Sequence, residues 1–289
     1  MIAMRIESAQ LKDVLKDQLA AACLATAPED HDSGWCSLPS VCHLLGIPNI
    51  VVETDIRFQR RRVKAGQWLF GSGEKFKAVF IVYAGFLKTV LVDNAGNEQI
   101  LGFPMKGDLL GIDGLHNEHY ASQAVALTDC DLVVIPFPEL MSLGHEYTLL
   151  ESWLYRAVGR ELVREHAVVG LLGTLGAEAR VARFLVALSE RFAAIGYSSA
   201  SFNLRMTRQE IGSYLGLTLE TVSRSLSALD DAGLIHINQR AVEIRDIASL
   251  RSLQKIPVTA KAKRPLSVDL PSRMKCNPKH SMWSEISAT

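Results

Sequence analysis

The chain has no long hydrophobic run. None of its apolar stretches approaches the ~18 residues that a membrane-spanning helix needs. "LAAACLATA" (19–27) is short and follows acidic residues, so it makes a poor signal peptide. Charge of one sign is not in excess: 31 Lys and Arg balance 31 Asp and Glu, so composition withholds the basic footprint common in nucleic-acid-binding proteins. Cysteine is scarce and irregular. Five residues (Cys23, Cys36, Cys42, Cys130, Cys276) make an odd count without regular spacing, which argues against a secreted disulfide framework and for a reducing compartment. A cytoplasmic protein is expected. No P-loop, nucleophile elbow or paired-carboxylate site is present, so the expectation is a non-enzyme. Arginine is missing between Arg62 and Arg156, and a phosphate buried in that region would have no guanidinium partner.

The 289 residues suit about two domains on a prior of ~150 residues each, and 48% apolar content can fill their cores. Residues 1–35 form an N-terminal extension in which Ile6, Leu11, Val14, Leu15, Leu19 and Cys23 recur at helical spacing. Residues 36–137 change to short apolar runs broken by Gly and Asn. "AVFIVYAGFLKTVLVDNAGNEQILGF" reads as strands with "DNAGNE" as a hairpin loop, and "GDLLG" and "DCDLVVIPF" as further strands. Close spacing of short strands suggests a barrel or jelly roll.

Residues 138–175 return to a helical period. Leu143, Tyr147, Leu150, Leu154 and Ala157 step by four, three, four and three, which fits a two-stranded coiled-coil seam or one face of a buried helix. The stripe continues through Leu162, Glu165, Val169 and Leu172, and in a symmetric dimer Glu165 would face its own copy. The tail at 254–289 holds four prolines and, from residue 256 on, six Lys or Arg against two acids, a basic tail expected to be disordered.

The most informative stretch is "MTRQEIGSYLGLTLETVSRSLSALDDAGLI" (206–235), within a compact segment at 176–253. Thr207 and Glu210 have capping-box spacing. Ile211 and Leu215 would face inward, and Gly216 can take the positive φ that ends a helix sharply. Thr218 can cap a second helix with Val222, Leu226 and Leu229 inside. Two short helices about a Gly-containing turn make a helix-turn-helix. Glu220, Ser223 and Arg224 then lie near the start of the second helix, on one side. Arg can donate twice to guanine, Glu can accept from cytosine N4, and Ser can serve either partner. The alternative is an i, i+4 pair between Glu220 and Arg224 on an ordinary surface helix. "GLIHINQRAVEIRD" reads as a small hairpin behind it.

"TRQEIGSYLGLTLETVSR" resembles the DNA-binding signature of the Crp/Fnr superfamily of bacterial transcription regulators, in its Fnr branch, and "GNEQILGFPMKGDLLGID" resembles the β-roll of that branch. The resemblance runs from about Cys36 to Leu253. It implies an α+β chain: an N-terminal cyclic-nucleotide-binding-like jelly roll, a long dimerisation helix and a C-terminal winged helix-turn-helix. It implies a homodimer on double-stranded DNA, with Glu220, Ser223 and Arg224 reading a TTGAT-N4-ATCAA palindrome and Thr218, Thr221 and Arg208 beside them. The implied role is control of anaerobic, microaerobic or nitrogen-oxide metabolism genes. Leu219 stands where the cAMP-binding Crp branch has Arg. Glu165 matches a carboxylate that weakens the family's dimer until the sensor responds. The loop "DNAGNE" matches a contact with RNA polymerase, but Asn97 stands where the branch has Asp.

The family's cofactors fit less well. A cyclic-nucleotide pocket carries a Glu and an Arg where this chain is read to have Ile112 and Tyr120, so cAMP is not expected. The branch's [4Fe–4S] motif, Cys-x2-Cys-x5-Cys plus a fourth Cys in the roll, is matched by Cys36 and Cys42 alone. Ser33 and Val133 take the other two places. Cys130 is three residues from the fourth place, ~10 Å along a strand and on the opposite face. Cys23, Cys36, Cys42 and Cys130 would form a cluster only in a geometry unlike the family's. The same thiols could serve redox sensing, and the favoured expectation is no cofactor. His116 and His119 have a weak metal spacing, and His31 and His43 are haem candidates by location only.

Overall fold

The computed structural model describes residues 34–46, 55–93, 95–146, 151, 154–163, 166 and 175–253. The chain divides into units Met1–Lys255 and Ile256–Thr289, and the described residues all belong to the first. Cys23, His31, Ser33, Glu165 and the basic tail lie outside them.

The N-terminal half is a roll of two antiparallel sheets. It begins with β1 (Trp35–Ser37) and helix α1 (Leu38–Leu44), then β2 (Arg57–Val63), β3 (Trp68–Phe70), β4 (Ala78–Ala84), β5 (Leu87–Val92), β6 (Glu98–Gly102), β7 (Leu109–Leu110), β8 (Gln123–Ala126) and β9 (Cys130–Pro136). One sheet has the order β1-β2-β9-β4-β7 and the other β3-β8-β5-β6. Strand β4 is buried along most of its length and β9 pairs on both sides, which is why their sequences are nearly continuous apolar runs. The β5–β6 turn is fixed by Asp93. Its Oδ1 accepts from the backbones of Ala95 and Asn97 at 2.8 Å each, while Gly96 takes φ 83°.

Helix α2 (Phe137–Glu146) follows β9 directly. Its Leu143 is buried in the core of the roll, which fits the buried-helix alternative at that position: the side chain is consumed within the protomer. Residues 154–163 are helical, with Ala157 buried and Tyr155, Val158, Leu162 and Val163 exposed. Of the apolar positions left uncovered there, Leu162 lies on the expected stripe, while Tyr155 and Val158 each lie one residue beyond its members Leu154 and Ala157.

The C-terminal part holds α3 (Ala177–Ala194), β10 (Ser201–Asn203), α4 (Arg208–Leu215), α5 (Leu219–Asp231), β11 (Ile235–Asn238), β12 (Ala241–Ile244) and α6 (Ile247–Ser252). The strands form a small sheet ordered β10-β12-β11, the wing beside the helix pair. A second core joins Val181, Leu185, Ile211, Leu226 and Ile235 from this part with Val90, Ile100, Phe103 and Met105 from the roll. The winged helix is therefore packed on the β5–β6 sheet and shares its core.

Candidate DNA-reading site and sensor

The two-helix unit is built by its caps. Thr207 Oγ1 accepts from Glu210 N at 3.1 Å and Glu210 Oε2 accepts from Thr207 N at 2.7 Å, closing both halves of the capping box at the start of α4. Gly216 ends α4 at φ 62°, ψ 42°. Gly212 has a different duty: a Cβ there would lie 2.6 Å from the Leu217 carbonyl oxygen, so the turn can approach α4 only because that side chain is absent. Thr218 Oγ1 then accepts from Thr221 N at 3.2 Å and starts α5. Val222, Leu226 and Leu229 face the core as the periodicity requires.

The opposite face of α5 is open. Leu219, Glu220 and Arg224 are exposed, and Ser223 is half-buried. Glu220 and Arg224 form no ion pair with each other. The Arg224 guanidinium leans toward Thr221 Oγ1 at 3.5 Å. The carboxyl of Glu220 is held below its ordinary range by its own backbone N–H and the Thr218 hydroxyl, with Arg224 adding a weaker pull. It is an acceptor at neutral pH. Arg208 of α4 reaches Ser223 Oγ at 3.4 Å, so that hydroxyl is already shared between the helices. The structure thus brings Arg208, Thr218, Glu220, Thr221, Ser223 and Arg224 together around the start of one helix.

A model of the Crp-like helix-turn-helix domain matches residues 179–253, and one of the cyclic nucleotide-binding domain matches residues 60–147. The transcriptional regulatory protein btr of Bordetella pertussis is 41% identical over 229 residues, covering 78% of this chain and 95% of the relative. The chain belongs to the Fnr branch of the Crp/Fnr family. The transcriptional activator protein anr of Pseudomonas aeruginosa is 38% identical over 75% of the chain and 90% of its own length. Among solved structures, FixK2 from Bradyrhizobium japonicum superposes with a TM-score of 0.64 at 27% identity, over 68% of this chain and 98% of that one. The family places this protein among transcription regulators with a DNA-binding helix-turn-helix.

Tyr120, expected in the phosphate arginine's place, belongs to the aromatic core. Its ring stacks on Phe70 at 4.1 Å and its hydroxyl donates to Ala78 O at 2.7 Å. Burial raises its pKa, and the backbone N–H groups of Ala78 and Lys77 that donate to its hydroxyl only partly offset the shift. Where β8 begins, Ser122 donates from its N–H and its hydroxyl to Asp113 Oδ2 at 2.8 and 2.7 Å. A cavity of about 710 Å³ lies beside Ile112, Asp113 and Ser122. Its cationic residues are Arg183, Arg191 and Arg251, all from the winged-helix part. Arg191 pairs with Asp108, and Arg251 with Glu190 at 2.8 Å.

The thiols do not fit a four-thiolate cluster. Cys36, Cys42 and Cys130 are free and buried. Cys36 is paired with Phe58 and Cys130 with Val63, at opposite ends of β2. Five strand residues span about 17 Å at ~3.3 Å each, too far for two ligands of one cluster. That spacing does not support the alternative set that contains both residues. Val133, in the family's fourth place, pairs with Arg60 only two residues from Phe58, and it is fully buried. The position for a converging thiol is there, filled by an isopropyl group. Cys130 Sγ instead donates to backbone oxygens of Phe86 and Thr128 at 3.2 and 3.1 Å. Burial pushes the Cys42 thiol up to about 11. His116 and His119 are exposed, and among the described residues no group of three ligating side chains could hold a metal ion. His43 is also exposed, at the end of α1.

Sequence reasoning missed the contacts between roll and reader. Lys88 of β5 pairs with Glu210 at 2.8 Å across 122 residues of chain, and Gln99 of β6 donates to the Ser213 carbonyl. Nothing in the spacing of these residues announces them.

Proposed function

We propose that this protein is a homodimeric regulator that reads a TTGAT-N4-ATCAA-like palindrome and is switched by a signal at the roll. Its targets are genes of anaerobic, microaerobic or nitrogen-oxide metabolism, and it acts in the cytoplasm without enzymatic activity. The observation that carries the reading is the open face at the start of α5, where Glu220 and Arg224 are exposed and not paired with each other. Arg224 donates to guanine, Glu220 accepts from cytosine N4, and Ser223 adds a bond. Exposed Leu219 suits the methyl group of a thymine. Arg208, Thr218 and Thr221 position the helix on the backbone. Half-sites about one helical turn apart match a two-fold dimer.

The relatives named as transcriptional activators support RNA polymerase as a second partner. Asn97 does not support the expected loop contact, because its Nδ2 is spent on Asp93 Oδ2 at 2.8 Å within the turn. We assign no cofactor and no cAMP.

Footprinting on TTGAT-N4-ATCAA against a TGTGA palindrome tests the reading. Wild type should protect the first. Arg224→Ala should weaken that binding by about 1–3 kcal/mol and relax discrimination at the guanine. Tighter binding to TGTGA would overturn it.

A further inference from the structure

Four polar contacts and one aromatic cluster join β5 and β6 to α4. Lys88 Nζ donates to Glu210 Oε1 at 2.8 Å, with the two side chains only 19% and 16% exposed. Ile100 N donates to Ser213 Oγ at 3.0 Å, and that hydroxyl reaches Glu98 O at 3.4 Å. Gln99 Nε2 donates to Ser213 O. Tyr214, next along α4, packs on Phe103 of the roll with ring centroids 5.4 Å apart.

The Glu210 carboxylate is divided between two tasks. One oxygen takes the cation from the sensor sheet and the other closes the cap on Thr207. Burial alone would raise this carboxyl, but the bonds from Lys88 and Thr207 outweigh it and hold it below its ordinary range. A half-buried pair gains little net stability over an apolar one, because both charges lose water. Its geometry is nonetheless specific: one ammonium, one carboxylate oxygen, and a helix start fixed between them. From α4 the path continues to α5 through the Arg208–Ser223 bond and the close turn at Gly212.

We propose that Lys88 is a positioning residue for DNA reading: through Glu210 it seats the first helix of the reader on the sensor sheet, and so sets the presentation of α5. This rests on the assignment of α5 as the DNA-contacting helix. A signal that displaces the β5–β6 hairpin then acts on DNA affinity without touching a DNA-contacting side chain.

The test uses the full-length chain, with Lys88→Met, Lys88→Arg, Glu210→Gln and the Met/Gln double variant. Gln at 210 keeps the capping box but removes the charge. Affinity for the TTGAT palindrome is measured by anisotropy, and amide exchange is followed over residues 207–215. Lys88→Met should weaken binding by about fivefold, equal to about 1 kcal/mol at 1.4 kcal/mol per decade. Glu210→Gln should do the same, the double variant no more than either, and Lys88→Arg should stay near wild type. Amides at 207–215 should exchange faster in Lys88→Met. Unchanged affinity, additive losses in the double variant, or weakened binding with unchanged exchange each overturns the proposal. If wild type shows no preference for the palindrome, the functional reading fails. The exchange at 207–215 then decides the seating by itself, and no change there overturns it.

Discussion

Replacing Gly212 by Ala sets two known effects against each other. In an open helix the change favours folding by ~1 kcal/mol. Here the new Cβ would stand 2.6 Å from Leu217 O and 3.5 Å from the carbonyl carbons of Leu217 and Thr218. These are backbone atoms of the turn, so no side chain can rotate away. The turn is also tied to the same residue, since Leu217 N donates to Gly212 O at 2.9 Å. Relief requires the turn to move outward, and overpacking of this kind costs roughly 1–3 kcal/mol. The net expectation is a loss of about 0–2 kcal/mol in urea denaturation. The larger effect falls on function, because the displaced turn carries Thr218 and the start of α5. Anisotropy on the palindrome should show weakening of about tenfold or more, as for a lost base contact. A variant that gains ~1 kcal/mol and binds DNA unchanged would refute the close approach.

Three further predictions concern the thiols and the dimer. Cys36, Cys42 and Cys130 are at most 4% exposed, so iodoacetamide at pH 8 should leave them unlabelled in the folded protein and label them in urea, as read by mass spectrometry. Since the Cys42 thiol is pushed from 9.0 up to about 11, folding stability is undiminished by it below pH 9 and falls as pH rises from 9 toward 11, where only the unfolded chain forms thiolate. Rapid native labelling of Cys42 would contradict its burial. Glu165 lies outside the described residues. If the carboxylate faces its own copy in the dimer, Glu165→Ala should tighten self-association in sedimentation, and an unchanged dissociation constant would sink that idea.

The reading helix was legible because its information is local. Thr207, Glu210, Gly216 and Thr218 act within four residues of themselves, and the apolar positions of α5 repeat at the helical period. The strands of the roll were legible for the same reason, as was the turn at Gly96. The Leu143 stripe left two readings open because a helix on a roll and a helix in a dimer present the same three-and-four spacing, and at Leu143 the fold chose the first. The direction of Tyr120 was not legible, because a motif position carries no statement of direction, and its ring turned into the aromatic core.

The sequence by itself determined the family, the two-helix reader with its exposed Glu220 and Arg224, and a cysteine pair without its expected partners at Ser33 and Val133. Tertiary structure alone decided that Cys36 and Cys130 sit at opposite ends of β2, that the reader shares a core with Phe103 and Met105, and that Lys88 meets Glu210. Caps and periodicity are short-range effects written within a turn or two. Pairings across 122 residues depend on which surfaces the chain brings together, and no spacing rule records that.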